Sequence, residues 1–389
     1  MMLLDGFGGW KEPVLAIGSR KNYSVDRFEG KGLAEFFDGI AKDVEKIGMP
    51  AFGYVSYDAG RSCIRLPNKA KDDLKTPEAE FFIPEKLVKI NLGRGKEAEN
   101  GRGKKEGREN KSEKKIGKQK MELNRSESEF CEMVSKTRER IKQGDIYQAN
   151  LSVRGSVVSE LEPIDYYERL RRINPSPFSF FYQSRNVAIA SSSPELLLER
   201  EGRKLVTRPI AGTRPRGKNA GEDAALRKQL TGSVKENAEH VMLVDLERND
   251  LGRVSKFGSV KVSEMMAVEK YSHVQHLVSN VVGELQEGKT FGNVMESVFP
   301  GGTITGAPKI ASMEVIEELE PVRRGAYTGS AGIIGPDFAQ FNIIIRSIIF
   351  DRGKAYAQAG AGIVKDSNPQ REWKESLQKM EAMKQALGC

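Results

Sequence analysis

Cysteine and histidine are scarce, with three of each in 389 residues. Cys63, Cys131 and Cys389 are far apart and odd in number. Neither a disulfide framework nor a zinc site is suggested. The histidines, His240, His273 and His276, fall into no Ser-His-Asp order and no HExxH spacing, which argues against a triad hydrolase or a zinc protease. One of them in a pocket would still serve as a proton or hydrogen-bond partner. Long apolar runs are also missing: apolar residues make up 38%, and none of their runs approaches the roughly 18 residues of a membrane span. The N-terminus, MMLLDGFGGW, has an acid at Asp5 and no basic flank, so it does not read as a secretory signal. A soluble, cytoplasmic protein with no membrane partner is the expectation. Phosphate-loop and dinucleotide fingerprints are absent as well.

The formal charge is +8, but residues 94–120 alone hold eleven Lys/Arg and five Glu. The basicity therefore belongs to one segment. That segment has one apolar residue larger than alanine, Ile116, and no aromatic on which a base would stack. It cannot bury enough surface to offset its ordering entropy, so 93–120 reads as a disordered insertion without a nucleic-acid role. It separates an N-terminal region, 1–92, from a longer region, 121–389.

Periodicity and turn residues predict strands at 14–17, 52–57 and 86–90, with a helix over 32–48. Beyond the insertion come a helix at 126–143 and strands at 145–154, 178–183, 187–191 and 196–201. A helix over 224–243 follows, then strands at 329–334, 342–349 and 355–359, and a last helix at 370–386 that opens beside Pro369. A mixed α/β (α+β) chain with largely antiparallel sheets is expected.

Two predicted helices share an acidic spacing. Glu236 and Glu239 lie three apart, as do Glu372 and Glu375, which places each pair on one helix face. Four carboxylates facing one another suit a hard cation such as Mg²⁺. Solvated faces with i,i+4 Glu–Lys pairing, as between Glu375 and Lys379, account for the same residues. FPGGTITGAPK (299–309) and AQAGAGIV (357–364) read as glycine-rich turns where a backbone closely approaches an anion. Arg346 falls within the apolar run FNIIIRSII, where its charge needs either a structural salt bridge or a ligand carboxylate.

These pieces, in this order, resemble the chorismate-utilising enzymes. The resemblance covers about residues 126–386 through GDIYQANLS, SSSPELLLE, RPIAGTRPRG, ENAEHVMLVDLERNDLGRV, YSHVQHLVS, FPGGTITGAPK and QAGAGIVKDS. It implies two large antiparallel sheets with helices outside, and Mg²⁺ bridging the carboxylates of chorismate. By position, Glu239 and Glu375 look like the principal magnesium residues, with Glu236 and Glu372 beside them and Glu195 in the same pocket. Gly212, Thr213, Tyr327, Arg346, Gly360, Ala361 and Gly362 match chorismate-contacting positions. His276, Thr303 and Lys379 line the site.

Gln148 stands where isochorismate and salicylate synthases have a water-activating lysine. The resemblance therefore implies an ammonia user, supplied by a separate glutamine amidotransferase subunit. Two branches compete. Ala211 in PIAGT resembles the anthranilate-forming branch, since the other often has a nucleophilic lysine there. SSSPE, the double glycine of FPGGTITGAPK and FNIIIRS resemble the branch that makes 4-amino-4-deoxychorismate. So does LLDG (3–6) in place of the longer tryptophan-binding LLES region. The aminodeoxychorismate synthase branch is the one expected.

Overall fold

The computed structural model describes residues 1–6, 12–28, 32–90, 116–270 and 274–389. Most of the basic insertion, and His273, lie outside the described residues.

Two ten-stranded sheets form the centre, and every strand pairing within them is antiparallel. The first runs Gly306–Ala307, Gln148–Val158, Lys354–Ile363, Ser347–Asp351, Ala188–Ser193, Phe178–Gln183, Met2–Asp5, Val14–Ile17 and Lys86–Lys89, with Glu122–Leu123 also on Gln148–Val158. The second runs Ile210–Pro215, Val274–Glu284, Lys204–Thr207, Leu196–Glu201, Phe338–Asn342, Ser330–Ile334, Ala51–Val55, Ala79–Ile83 and Lys21–Val25. Lys261–Lys270 also pairs with Val274–Glu284 in the second sheet. The region before the insertion thus gives three strands to each sheet.

Side chains alternate along these strands with period two, so each strand feeds two cores. Phe52, Tyr54, Phe82, Ala331 and Ile333 of the second sheet meet Phe180, Tyr182, Ile189 and Ile349 of the first in a shared central core. The intervening residues face outward. Val55, Phe81 and Ile334 pack under the helices Leu33–Ile47, Val234–Gly252 and Phe291–Val298. Phe181, Ala190 and Ile348 pack under Glu127–Gln143, Pro163–Ile173, Lys309–Leu319 and Pro369–Leu387. The layers are helix, sheet, sheet, helix, the arrangement that the resemblance implied.

Four expectations are corrected. The helix over 224–243 is two helices, Ala220–Thr231 and Val234–Gly252, because Gly232 ends one and Ser233 caps the other by accepting the Glu236 N–H. The apolar run 342–349 is not one strand. Phe338–Asn342 ends in the second sheet and Ser347–Asp351 begins in the first, so 343–346 carries the chain between sheets. The stretch 357–364 is no turn, since its glycines sit within the strand Lys354–Ile363. Finally, the end of the insertion is ordered: Ile116 packs on the outer core beside Gly388, and Gln119 N–H donates to the Gly388 carbonyl.

Candidate active site

The crossing between the sheets places Arg346 at the site with φ +54, in a linker and not in a strand. That conformation is rare for a residue with a side chain and marks a position held by its surroundings. Among the described residues the Arg346 guanidinium forms no salt bridge or hydrogen bond. Among the described residues, then, no structural salt bridge accounts for this arginine. Burial lowers its pKa, and Tyr327, Glu195 and Glu375 are the groups that oppose this through their charge.

Glu195 begins where the strand Ala188–Ser193 turns into Leu196–Glu201. The residue is 7% exposed, and burial pushes its pKa up to about 7. The nearby Thr303 hydroxyl, the Arg346 charge, the Ile210 N–H and Lys379 pull the other way. Among the described residues, Glu195 Oε1 and Thr303 Oγ1 are buried without a hydrogen-bond partner, as are Gln148 Oε1, Asn150 Oδ1 and Glu236 Oε2. Buried polar atoms are nearly always satisfied, so such a group of orphans marks a place where a polar ligand belongs.

Gln148 starts the strand Gln148–Val158, and its Nε2 donates to Glu239 Oε1 at 3.2 Å. On the neighbouring strand, Gly362 leaves room for that contact. A Cβ there would stand 2.4 Å from Gln148 Nε2 and 3.3 Å from Glu239 Oε1. Ala361, fully buried, turns the other way into the outer core, and the Gly360 carbonyl accepts Lys379 Nζ at 3.1 Å. Replacing Gly362 by alanine is expected to displace Gln148 and lower kcat/KM about tenfold, at an overpacking cost of roughly 1–3 kcal/mol. Steady-state kinetics beside a denaturant titration check this; unchanged kinetics would show that the Gln148–Glu239 contact is dispensable.

Across the site, Gly212 adopts φ +73 at a bulge between Ala211, paired with Leu277, and Thr213, paired with His276. Glycine tolerates this conformation freely. The bulge sets the Thr213 hydroxyl 2.9 Å from His276 Nδ1. Burial holds the His276 imidazole below its usual range. Tyr327 is buried with its phenol pushed up to about 12, chiefly by burial.

The four glutamates do not form a ready-made cage. Among the described residues no three carboxylate, imidazole or thiol groups converge as metal ligands. Glu236 Oε1 is held by Arg214 at 2.7 Å, and Glu375 Oε1 by Lys379 at 2.7 Å, while Glu372 is buried in the first turn of Pro369–Leu387. The all-oxygen donor set and the orphaned Glu236 Oε2 nonetheless fit Mg²⁺, which takes one or two protein carboxylates and completes its shell with water and ligand oxygens.

Contacts and charges thus link Gln148, Glu195, Glu239, Thr303, Tyr327, Arg346, Gly360, Gly362, Glu375 and Lys379, with His276 within the field of Arg346 and Thr213 and Gly212 beside it. Sequence reasoning passed over two residues that meet them. Asn150 lies two positions from Gln148 and donates to the Thr303 carbonyl at 3.5 Å. Glu247, eight after Glu239 on the same helix, is buried near Glu195, and an acid at that spacing was the available signal.

Among the described residues no helix is long and apolar enough to cross a membrane. The chain is similar to aminodeoxychorismate synthase component 1 of Bacillus subtilis, 54% identical over 263 residues. That match covers 67% of this chain and 56% of the relative, so the chain spans little more than half of that protein. It is also similar to anthranilate synthase component 1 of Acetivibrio thermocellus, 40% identical, with 97% of this chain and 86% of the relative covered. Among solved structures, anthranilate synthase component I from Streptococcus pneumoniae superposes with a TM-score of 0.80 at 30% identity, covering 95% of this chain and 91% of that one. A family model described as chorismate binding enzyme matches residues 9–385, and the chain belongs to that family.

Proposed function

We propose that this chain aminates chorismate to 4-amino-4-deoxychorismate, using ammonia from a separate glutamine amidotransferase subunit. The observation that carries the choice of amination is Gln148, whose amide is held by Glu239 and has no basicity with which to activate water. Similarity to the Bacillus subtilis aminodeoxychorismate synthase supports the choice of product. Arg346, which forms no ion pair among the described residues, takes a substrate carboxylate, for which a guanidinium supplies a two-pronged partner. Lys379 and the Gly360–Gly362 strand flank the same ligand.

Glu195, whose acid form burial keeps populated near neutral pH, hands its proton to the allylic hydroxyl, which leaves as water. Ammonia forms the new carbon–nitrogen bond, and the proton it sheds restores Glu195. The balance is chorismate plus ammonia giving amine plus water. Glu239 and Glu375, with Glu236 and Glu372 beside them, would hold Mg²⁺, which would supply electrostatic anchorage for the substrate carboxylates.

Ala211 and the likeness to anthranilate synthases over nearly the whole chain favour a second product, anthranilate with release of pyruvate. Mass spectrometry of purified protein with chorismate, Mg²⁺ and an ammonium salt separates the two. The expected product is 4-amino-4-deoxychorismate, turned into 4-aminobenzoate only when a lyase is added. Anthranilate and pyruvate without lyase would overturn the choice of product.

A further inference from the structure

We propose that Arg324 is a positioning residue, whose guanidinium fixes three backbone segments behind the site and so sets the relative placement of Gln148, Thr303 and Tyr327. The proposal rests on the reading of this site as the chorismate site. Arg324 is 1% exposed, which would be costly for an unpaired charge. Its donors are all engaged. Nε donates to Glu320 Oε2 at 3.0 Å, and Nη2 to Glu320 Oε1 at 2.8 Å and to the Asn150 carbonyl at 2.6 Å. Nη1 donates to the Ile304 carbonyl at 2.8 Å and to Thr328 Oγ1 at 3.3 Å.

Each acceptor outside Glu320 adjoins a site residue. Asn150 is two positions from Gln148, Ile304 follows Thr303, and Thr328 follows Tyr327. The guanidinium also lies 4.7 Å from the centre of the Tyr57 ring and 5.8 Å from that of Tyr327. Glu320 extends the hub: its Oε1 accepts the Ser152 N–H at 2.9 Å and the Ser152 hydroxyl at 2.7 Å. Gln358, on the strand bearing Gly360 and Gly362, donates to that hydroxyl at 2.8 Å. A pair that served stability alone would need only Arg324 and Glu320. The rigid five-donor fork of arginine is what lets one side chain reach two distant segments and its own turn at Thr328, and lysine, with three donors on a flexible stem, cannot reproduce it.

The test compares R324K and the gentler T328V with R61K, which weakens a partly buried ion pair, Arg61–Glu317, that among the described residues shares no hydrogen bond with these segments. Folding is followed by circular dichroism and Tm, and chorismate consumption with ammonium by kcat and KM below each variant's Tm. R324K is expected to lower kcat/KM about 100-fold, the scale of a misplacement of roughly 1 Å. T328V, losing the hydrogen bond from Arg324 and the one that the Thr328 hydroxyl donates to the Tyr327 carbonyl at 2.6 Å, is expected to lower it about tenfold. R61K lowers Tm and leaves kcat and KM at wild-type values. Should R324K not fold, T328V decides alone. Wild-type kcat and KM in folded R324K or in T328V would overturn the positioning role. If wild-type protein consumes no chorismate, the chorismate reading falls, and the proposal falls with it.

Discussion

Glu195→Gln is expected to lower kcat about 100- to 10,000-fold, the span that a positioned general acid supplies. Glutamine keeps the shape and loses the proton. The pH dependence carries a sign that can be checked. Burial lifts the carboxyl to about 7, so the competent acid form disappears, and kcat falls, as pH rises through that value. Stability moves the same way. The folded-state pKa lies above the unfolded one, so between about 4.5 and 7 the folded state binds more protons. Stability contributed by the neutral acid is therefore present below pH 4.5 and lost as pH rises through 7. Glutamine avoids that loss, and E195Q should exceed the wild type above pH 7 by about 3 kcal/mol, from roughly 1.4 kcal/mol per pKa unit. Denaturant titrations at pH 5 and pH 9, with kinetics at both, read the two effects. A stability gap that does not widen with pH, or a variant that keeps its kcat, would refute the role.

The second large effect concerns magnesium. Glu239→Gln and Glu375→Gln are each expected to raise the Mg²⁺ concentration needed for half-maximal turnover by more than about 100-fold, beyond the 10- to 100-fold usual for residues one shell away. Circular dichroism and Tm should stay near wild type, because Glu375 is on an exposed helix face and Glu239 is only partly buried. The two variants should respond alike if the carboxylates serve one ion from two helices. Near-normal activity in either variant at limiting Mg²⁺ would rule the assignment out.

Most of the scaffold was readable because its strands alternate and its helices carry clear boundaries. Ser126 forms a capping box with Glu129, and Asn368 caps the helix that Pro369 opens. What stayed hidden was decided by distant partners. FNIIIRSII reads as one β-run because β-propensity cannot show that its two halves join different sheets. The glycines of 357–364 read as a turn because glycine weakens an isolated strand. Here Gln148 and Glu239 fill the space that a side chain at Gly362 would occupy. The acidic spacing pointed to both pairs alike, Glu236 with Glu239 and Glu372 with Glu375. It could not show that Glu236 already binds Arg214, a residue brought near by the bulge at Gly212. Arg323 and Arg324 are adjacent and alike in sequence. Only the packing of Tyr57 and Tyr327 against Arg324 tells the buried hub from its neighbour.

The sharing of early strands between both sheets has a consequence for how the chain is made. Met2–Asp5 sits between Val14–Ile17 and Phe178–Gln183, and Ala51–Val55 pairs with Ser330–Ile334. At synthesis rates of roughly 5–20 residues per second, the first of these pairings waits on the order of ten seconds or more for its partner to emerge, and the second waits longer still. During that time strand edges and apolar faces from the beginning of the chain remain uncovered. High contact order of this kind makes folding slow and leaves early strands open to pairing with other chains. Nascent chains of this protein should therefore depend strongly on holding chaperones, and mutations in the first strands should reduce yield more than they reduce the activity of the molecules that mature.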